Sequence, residues 1–137
     1  MNATITTTAY SVPDKVMTNN DLENIVETSD AWIRSRTGII QRHVVSQDEA
    51  TSDISSKIAK KLLNKSKIEP DEIDLIIVGT VTPDHFTPST AAIVQKNIKA
   101  KNAWGFDLSA ACSGFLYSIV TGANFITSGQ YNKVMVI

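Results

Sequence analysis

The sequence predicts an α/β domain built on a largely parallel sheet, and three observations support this fold class. Segments with strand patterns alternate with segments of helical periodicity along most of the chain. One strand, residues 73–78, reads IDLIIV and is a continuous apolar run apart from Asp74, as strands inside parallel sheets are. One helix, residues 52–67, carries its apolar residues on a single stripe and its lysines on the other side. The length, 137 residues, corresponds to one domain.

In the N-terminal third, the sequence predicts strands over residues 3–12 and 39–45 and short helices over residues 19–26 and 30–37. We expect the first strand to stop at Pro13. Thr18 and Asp21 have the spacing of a capping box at the start of the first helix. Ser29 is the predicted N-cap of the second helix, and Gly38 is predicted to end it.

In the rest of the chain, predicted helices alternate with predicted strands. The helices cover residues 52–67, 88–98 and 113–128, and the strands cover residues 73–78, 104–108 and 133–137. A polar loop, residues 80–87, leads to Pro88, which suits the first position of a helix. Gly129 is the predicted end of the last helix. Residues 134–137 have the pattern of a buried strand with no cap or polar tail after it, so we expect the chain to be a fragment of a longer protein.

Composition and charge exclude several classes of function. Basic and acidic residues number 13 and 14, whereas a nucleic-acid or anionic-membrane surface needs a basic excess. The single cysteine allows no internal disulfide, so we expect a reducing, cytoplasmic location. The N-terminus lacks the pattern of a signal peptide. The uncharged run around Cys112 is too rich in Ser, Thr, Asn and Gly to span a membrane, which favours a helix buried by protein on more than one side.

Cys112 lies where a predicted strand meets a predicted helix, in a run without charged residues between Asp107 and Lys133. Backbone N–H groups at a helix N-terminus lower the pKa of a thiol, and the thiolate is the nucleophilic form. The small residues over 109–114 allow a tight turn and leave space for a ligand. A buried structural cysteine is the alternative. The residues by themselves leave both interpretations open.

The segment DLSAACSGFLYSI, which contains Cys112, resembles the active-site signature of β-ketoacyl-acyl-carrier-protein synthase III, a branch of the thiolase superfamily. The segments TNNDLE, TSDAWIRSRTGI, IDLIIVGT and FTPSTAA, and the final strand, follow the order and spacing of the same family. The resemblance implies a thiolase-like fold, in which two similar α/β halves form a five-layer α-β-α-β-α sandwich with mixed, mostly parallel sheets. Residues 1–137 would be the N-terminal half, which carries the nucleophile, and the C-terminal half would be absent from this chain.

The same resemblance implies an acyltransferase that begins fatty-acid synthesis. Cys112 matches the nucleophile that takes the acyl group of an acyl-CoA as a thioester, and its backbone N–H would help to form an oxyanion hole. The carbanion from decarboxylation of malonyl-acyl carrier protein then attacks the thioester and gives a 3-oxoacyl product. The His and Asn that assist this chemistry belong to the second half of the family, so the fragment alone should be inactive. Acyl-CoA and acyl carrier protein are the implied partners of a homodimer that needs no cofactor.

The two histidines of the chain do not match the catalytic histidine of the family. We expect His43 at the surface or at a strand edge, and His85 in a loop or a subunit contact. Because neither histidine belongs to a pattern of Cys or carboxylate residues, the sequence predicts no metal site.

Trp32 and Arg36 lie four residues apart on the helix after Ser29 and therefore share one face. An exposed Trp beside a guanidinium suits stacking on a flat base and neutralisation of phosphate. The alternative places Trp32 in the core. In the resembling family this Trp stacks on the adenine of CoA, the Arg contacts the nucleotide, and the Thr that matches Thr28 forms a hydrogen bond nearby.

The sequence departs from the family at the acyl pocket. The family commonly has a Phe directly before the proline that opens the helix, and this Phe reaches across the dimer to line the partner's acyl pocket. Here the order is Phe86, Thr87, Pro88, so Phe86 and Thr87 are the expected acyl-pocket or dimer-contact residues, and acetyl-CoA is not assumed as the primer. Two alternatives to the synthase stay open. One is a related superfamily acyltransferase with other donors or acceptors, as in secondary metabolism, and the other is a non-catalytic half-chain that serves as an assembly module.

Overall fold

The computed structural model of the chain describes residues 2–137, which form two compact units. The first unit comprises residues 12–49, and the second comprises residues 2–11 together with 50–137. In chain order the strands and helices are β1 (Lys15–Thr18), α1 (Asn19–Glu23), α2 (Asp30–Thr37), β2 (Gln41–Val44), α3 (Thr51–Ser66), β3 (Leu75–Gly79), α4 (Thr90–Ile98), β4 (Trp104–Leu108), α5 (Gly114–Thr127) and β5 (Val134–Val136). Short 3₁₀ turns lie at Pro70–Glu72 and Ala111–Ser113. No helix among residues 2–137 combines the length and the apolar character that crossing a bilayer requires.

The first unit consists of a two-stranded antiparallel ribbon and two helices. β1 and β2 pair with Lys15 opposite Val44 and Thr18 opposite Gln41. Thr18 also caps α1, because its hydroxyl accepts from the Asp21 N–H at 3.2 Å and its own N–H donates to the Asp21 carboxylate at 2.8 Å. This is the predicted capping box, and it joins the strand to the helix without a loop.

Both helices of the first unit start where the sequence predicts. α1 ends at Glu23 rather than at residue 26, and Ile25 and Val26, which the sequence places on its apolar side, are exposed. These two side chains therefore add no burial that would extend the helix. α2 has the predicted bounds, with Ser29 as its N-cap and Gly38 in the left-handed conformation after it, at φ 72°.

The second unit is built on a three-stranded parallel sheet in the order β4-β3-β5. Leu75 of the central strand lies opposite Trp104 of β4 and opposite Val134 of β5. Four of the five residues of β3 are buried, as its continuously apolar sequence predicts. The predicted α/β class with a mostly parallel sheet is therefore confirmed.

Helices cover both faces of this sheet. On one face, Ile76 and Val78 pack in the main core with α3 and α4. The alternate residues of β3 point to the other face, where α5 lies. α5 meets the sheet through small residues at every fourth position, Gly114, Ser118 and Gly122, and all three are buried. Small side chains at this spacing allow the helix to approach the strands closely.

The opposite side of α5 is apolar and exposed. Phe115, Leu116, Tyr117 and Val120 are each more than half exposed among the described residues. The sequence predicts a helix that protein buries on more than one side, whereas in this chain the sheet buries one side only.

The prediction for the start of the chain is wrong. Residues 3–12 form no strand, because no described strand pairs with them and a strand needs a partner for its backbone groups. Two lysines of α3 bind this segment instead: Lys61 Nζ donates to the Tyr10 carbonyl and Lys65 Nζ to the Thr8 carbonyl, each at 3.0 Å. The real first strand, β1, was missed because four residues are too few for a periodic pattern.

The predicted start of α4 is also wrong. Pro88 lies outside the helix, which begins at Thr90 with Ser89 as its N-cap. The Ser89 hydroxyl accepts from the Ala92 N–H at 3.2 Å. The preference of Ser89 for the N-cap position outweighs the preference of Pro88 for the first helical position. The helix therefore starts two residues later than predicted.

Candidate active site

Cys112 lies in the turn between β4 and α5. The Ala110 carbonyl accepts from the Ser113 N–H at 3.0 Å, and the Ala111 carbonyl accepts from the Gly114 N–H, so the turn is a single 3₁₀ turn that leads into α5. This is the tight turn that the small residues predict. Cys112 is exposed. The interpretation as a buried structural cysteine therefore does not hold in this chain.

The residue before the thiol is held in a strained conformation. Ala111 has a φ of 45°, in the left-handed region. A non-glycine residue there costs about 1–2 kcal/mol, because its Cβ atom approaches the following carbonyl oxygen. Strained backbone of this kind concentrates at functional turns. The sequence gives no signal for the strain, since alanine does not favour this region.

Parallel pairing brings the end of β4 next to the end of β3. Gly79, the last residue of β3, lies opposite Leu108, and the Thr80 N–H donates to the Leu108 carbonyl at 3.2 Å. The loops that follow the two strands, including the Cys112 turn, therefore leave from the same edge of the sheet. This carboxyl edge is where ligands bind in open α/β sheets.

A cleft of about 430 Å³ lies at this edge. Its walls come from the loop after β3 and from the ends of β4 and α4: Thr80, Val81, Pro83, His85, Phe86, Ser89, Asp107 and Ser109. Phe86 is fully exposed. Of the two predicted acyl-pocket residues, the structure thus places Phe86 in the wall of the cleft and Thr87 outside it. Cys112 is not among the wall residues either.

Asp107 ties the strand that precedes Cys112 to α4. Its two carboxylate oxygens accept from the Thr90 N–H at 2.7 Å and from the Ala91 N–H at 2.8 Å. These N–H groups belong to the first turn of α4 and have no acceptor within the helix. The helix dipole also favours a carboxylate at this end. The only sign of this role in the sequence is an acidic residue inside an otherwise apolar strand.

Hydrogen bonds to α3 hold the loop after β3. Asp84 Oδ1 accepts from the Ser52 N–H at 3.0 Å, and the Thr51 hydroxyl donates to the Thr82 carbonyl at 2.7 Å. Phe86 is therefore carried by a loop that is fixed to the N-terminus of a long helix.

In the first unit, α2 carries the residues expected to contact a nucleotide. Trp32 is 57% exposed, so its alternative interpretation as a core residue is wrong, and Ile33 is the buried residue of this helix. Arg36 is exposed one turn later, and its guanidinium has no hydrogen bond or ion pair within residues 2–137. Thr28 is half-buried, directly before the Ser29 N-cap.

A buried amide fixes α2 within the first unit. Asn19 is 1% exposed, and its Nδ2 donates to the Asp30 carboxylate and to the Ile39 carbonyl, each at 2.8 Å. Its Oδ1 accepts from Arg42 Nη2 at 2.7 Å. One side chain thus links α1, the first residue of α2 and β2.

Asp30 completes this network. Its two carboxylate oxygens accept from Arg34 Nε at 2.9 and 2.8 Å. The hydrogen bond from Arg34, followed by that from Asn19, holds the pKa of the Asp30 carboxyl below its usual range. The ionised form is therefore the one that anchors the helix bearing Trp32 and Arg36.

The described residues contain no cluster of side chains that could hold a metal ion. Among residues 2–137, no three His, Cys, Asp or Glu side chains lie close enough together for this purpose. His43 is exposed on β2, with Nδ1 2.6 Å from the Pro13 carbonyl oxygen. His85 is exposed in the loop that borders the cleft.

Comparison with known proteins gives one consistent similarity. The family model described as 3-oxoacyl-[acyl-carrier-protein (ACP)] synthase III matches residues 106–137, which include the Cys112 turn and α5. The β-ketoacyl-[acyl-carrier-protein] synthase III of Chlorobaculum tepidum is 57% identical over 138 residues, which cover 100% of this chain and 42% of the relative.

Solved structures show the same similarity. The crystal structure of 3-oxoacyl-[acyl-carrier-protein] synthase III from Aquifex aeolicus has a TM-score of 0.88 at 46% identity, over 93% of this chain and 41% of that one. The priming β-ketosynthase of the R1128 polyketide biosynthetic pathway has a TM-score of 0.87 at 32% identity, over 92% of this chain and 38% of that one. The resemblance and the thiolase-like fold class predicted from the sequence are confirmed. The chain spans about 42% of the length of the relative from Chlorobaculum tepidum.

Proposed function

We propose that this chain, which is similar over its full length to β-ketoacyl-acyl-carrier-protein synthase III, is the part of such an acyltransferase that carries the nucleophile. The exposed thiol of Cys112 carries the proposal, since it lies in a strained turn within the segment that the family model matches. Residues 1–137 would be the N-terminal thiolase-like half of the enzyme.

In the proposed reaction, the Cys112 thiolate attacks the carbonyl carbon of an acyl-CoA. A bond forms between this carbon and Sγ, the bond to the CoA sulfur breaks, and CoA leaves as a thiolate that takes up a proton. The Cys112 backbone N–H would donate to the oxyanion of the intermediate. Malonyl-acyl carrier protein would then lose CO₂, and its carbanion would attack the Cys112 thioester. The 3-oxoacyl product begins a fatty acid, and the Cys112 thiolate is released.

The other roles implied by the family are part of the same proposal. Thr28, Trp32 and Arg36 would bind CoA, and the exposure of Trp32 together with the unpaired guanidinium of Arg36 supports this assignment. Phe86 and Thr87 would contact the acyl chain or the dimer partner, which the position of Phe86 in the cleft wall supports for the acyl chain. The enzyme would be a cytoplasmic homodimer that acts on acyl carrier protein without a cofactor. The chain alone would be inactive, because the His and Asn partners belong to the other half of the family.

Condensation of acyl-CoA with malonyl-acyl carrier protein is the direct test, in the protein expressed from its complete reading frame. Cys112→Ala should abolish product formation and leave the melting temperature unchanged, since the thiol is exposed. Thr127→Ala is the matched control, because Thr127 is exposed at the far end of α5 and should leave activity intact. Unchanged activity in Cys112→Ala would refute the mechanism.

A related acyltransferase of the superfamily is the second candidate. The similarity to a priming β-ketosynthase of polyketide synthesis favours it, as does the order Phe86, Thr87, Pro88, which departs from the family pattern. The donor and acceptor profile separates the two candidates. Selective use of malonyl-acyl carrier protein with a short acyl-CoA supports the synthase, whereas preference for a second acyl-CoA supports the relative.

A non-catalytic assembly module is the remaining alternative. The coding frame after Ile137 decides it: a stop codon there would favour the module, and a downstream His and Asn in the family's pattern would exclude it.

A further inference from the structure

Gly79 ends β3 at the point where α5 begins, and no side chain fits between them. A Cβ atom on Gly79 would lie 3.0 Å from the Gly114 carbonyl carbon, 3.1 Å from the Phe115 nitrogen and 3.2 Å from the Gly114 oxygen. All three are backbone atoms, which cannot rotate out of the way. Gly79 does not have a positive φ. The requirement for glycine at this position is therefore one of space, not of backbone conformation.

The strand side of this contact is the fixed side. The Gly79 N–H donates to the Ile137 carbonyl at 2.7 Å, and the Thr80 N–H donates to the Leu108 carbonyl at 3.2 Å. The end of β3 is thus held by the neighbouring strands on both sides. A side chain at position 79 would consequently displace the first turn of α5 rather than β3.

The first turn of α5 and the Cys112 turn move together. The Gly114 N–H donates to the Ala111 carbonyl, so the two residues on either side of the Cys112–Ser113 pair are hydrogen-bonded to each other. Ala111 is already strained, which leaves this turn little freedom to absorb a displacement. A displacement of Gly114 therefore also displaces the thiol of Cys112.

We propose that Gly79 is a positioning residue for Cys112. It sets where the sulfur lies, and so the rate of the thiol's reactions, without contributing to substrate affinity. This inference rests on the proposed role of Cys112 as the nucleophile. Reactions of bound groups are steep in distance, with a misplacement of about 1 Å costing about a hundredfold in rate. A shift of 0.3–0.5 Å, on the order of what the crowding at position 79 requires, should therefore cost about fourfold to tenfold.

Gly122 provides a matched control on the same helix. A Cβ atom on Gly122 would lie 3.0 Å from Val134 Cγ1. The shortest contact is equal to that at Gly79, but it falls eight residues after Gly114 on α5 and against a side chain. Gly122→Ala should therefore disturb packing without moving the Cys112 turn.

The experiment compares Gly79→Ala and Gly122→Ala in the protein expressed from its complete reading frame. Four quantities are measured: the rate of Cys112 carboxymethylation by iodoacetamide, kcat for acyl-CoA, KM for acyl-CoA, and the melting temperature. In Gly79→Ala we expect a loss of about fourfold to tenfold in kcat with KM unchanged, and a carboxymethylation rate that differs from the wild-type rate because the thiol has moved. In Gly122→Ala both rates should stay at the wild-type value, although its melting temperature also falls.

Equal rates in the two variants would overturn the inference, as would a raised KM with unchanged kcat. Failure of Gly79→Ala to fold would show that the fold itself needs this glycine and would overturn it as well. A failure of the proposed function would give a different result from a failure of this inference. Wild-type protein would then condense no acyl-CoA, while the carboxymethylation rates would still test the position of the thiol.

Discussion

Asp107→Ala should strongly destabilise the second unit, because it removes an acceptor that two buried N–H groups share. Thr90 and Ala91 have no exposed surface, so water does not readily replace the carboxylate. A hydrogen bond to a charged group contributes about 1.5–3 kcal/mol, so two such bonds give about 3–6 kcal/mol. Asp107 itself is only half-buried, which admits some water and favours the lower end, about 3 kcal/mol.

Two further variants turn this estimate into a graded series. Asp107→Asn keeps one carbonyl oxygen but turns an NH₂ group toward the second N–H, so it should lose at least half as much stability as Asp107→Ala. Ser89→Ala removes the other cap of α4, the hydrogen bond from the Ala92 N–H at 3.2 Å, and should cost about 1 kcal/mol.

Urea unfolding of the protein expressed from its complete reading frame measures all three variants. A lower midpoint at an unchanged m-value reports lost stability without a change in the unfolding transition. The reasoning would be refuted if Asp107→Ala cost no more than Ser89→Ala, since the carboxylate would then contribute no more than an ordinary cap.

Three other predictions concern the first unit. Asn19→Ala should lower stability by about 3 kcal/mol in urea unfolding, because the Arg42 guanidinium and two other groups lose a buried partner. Asp30 has a folded-state pKa below its usual value of about 3.9. Its ionised carboxylate therefore stabilises the folded state above a pH of about 3.9, and this stabilisation is lost as the pH falls through the folded-state pKa. An NMR titration should show this, and Arg34→Met should move the Asp30 pKa up, since Arg34 is the largest cause of the shift. Trp32→Ala should raise KM for acyl-CoA roughly tenfold through loss of stacking, with little effect on melting temperature.

The Trp32 prediction has a matched control variant, and each of the three predictions has an outcome that would contradict it. Val26→Ala, which removes another exposed apolar side chain of this unit, should leave KM unchanged and so isolates the effect of Trp32. A Trp32→Ala protein with wild-type KM would contradict the nucleotide assignment. A titration of Asp30 at its usual pKa would contradict the hydrogen bonds from Arg34 and Asn19. A loss below 1 kcal/mol in Asn19→Ala would mean that water replaces the amide.

The elements that the sequence predicted well are those whose signal is local. The capping box of Thr18, the Ser29 cap and the left-handed Gly38 depend on residues within a few positions of one another. The apolar run of β3 is nearly as self-sufficient, because burial on both faces leaves a continuous pattern. The position of Cys112 between strand and helix follows from the two neighbouring elements.

The features that the sequence missed depend on partners far along the chain. Residues 3–12 have strand composition, but a strand exists only where another strand pairs with it. The role of Asp107 depends on the N-terminus of α4, where its partner Thr90 lies 17 residues earlier in the chain. The tight contact at Gly79 depends on α5, and no property of IDLIIVGT reveals it.

The attachment of the N-terminal segment to α3 has a consequence for how this sequence can change. Lys61 and Lys65 bind the carbonyl oxygens of Tyr10 and Thr8, which every residue possesses, and contact neither of these side chains, whereas Lys61 Nζ also donates to the Ser11 hydroxyl at 3.5 Å. The residues at positions 8 and 10 can therefore change while the segment stays attached. The two lysines cannot drift in the same way, and acetylation of their amino groups would remove the charges that hold the segment in place.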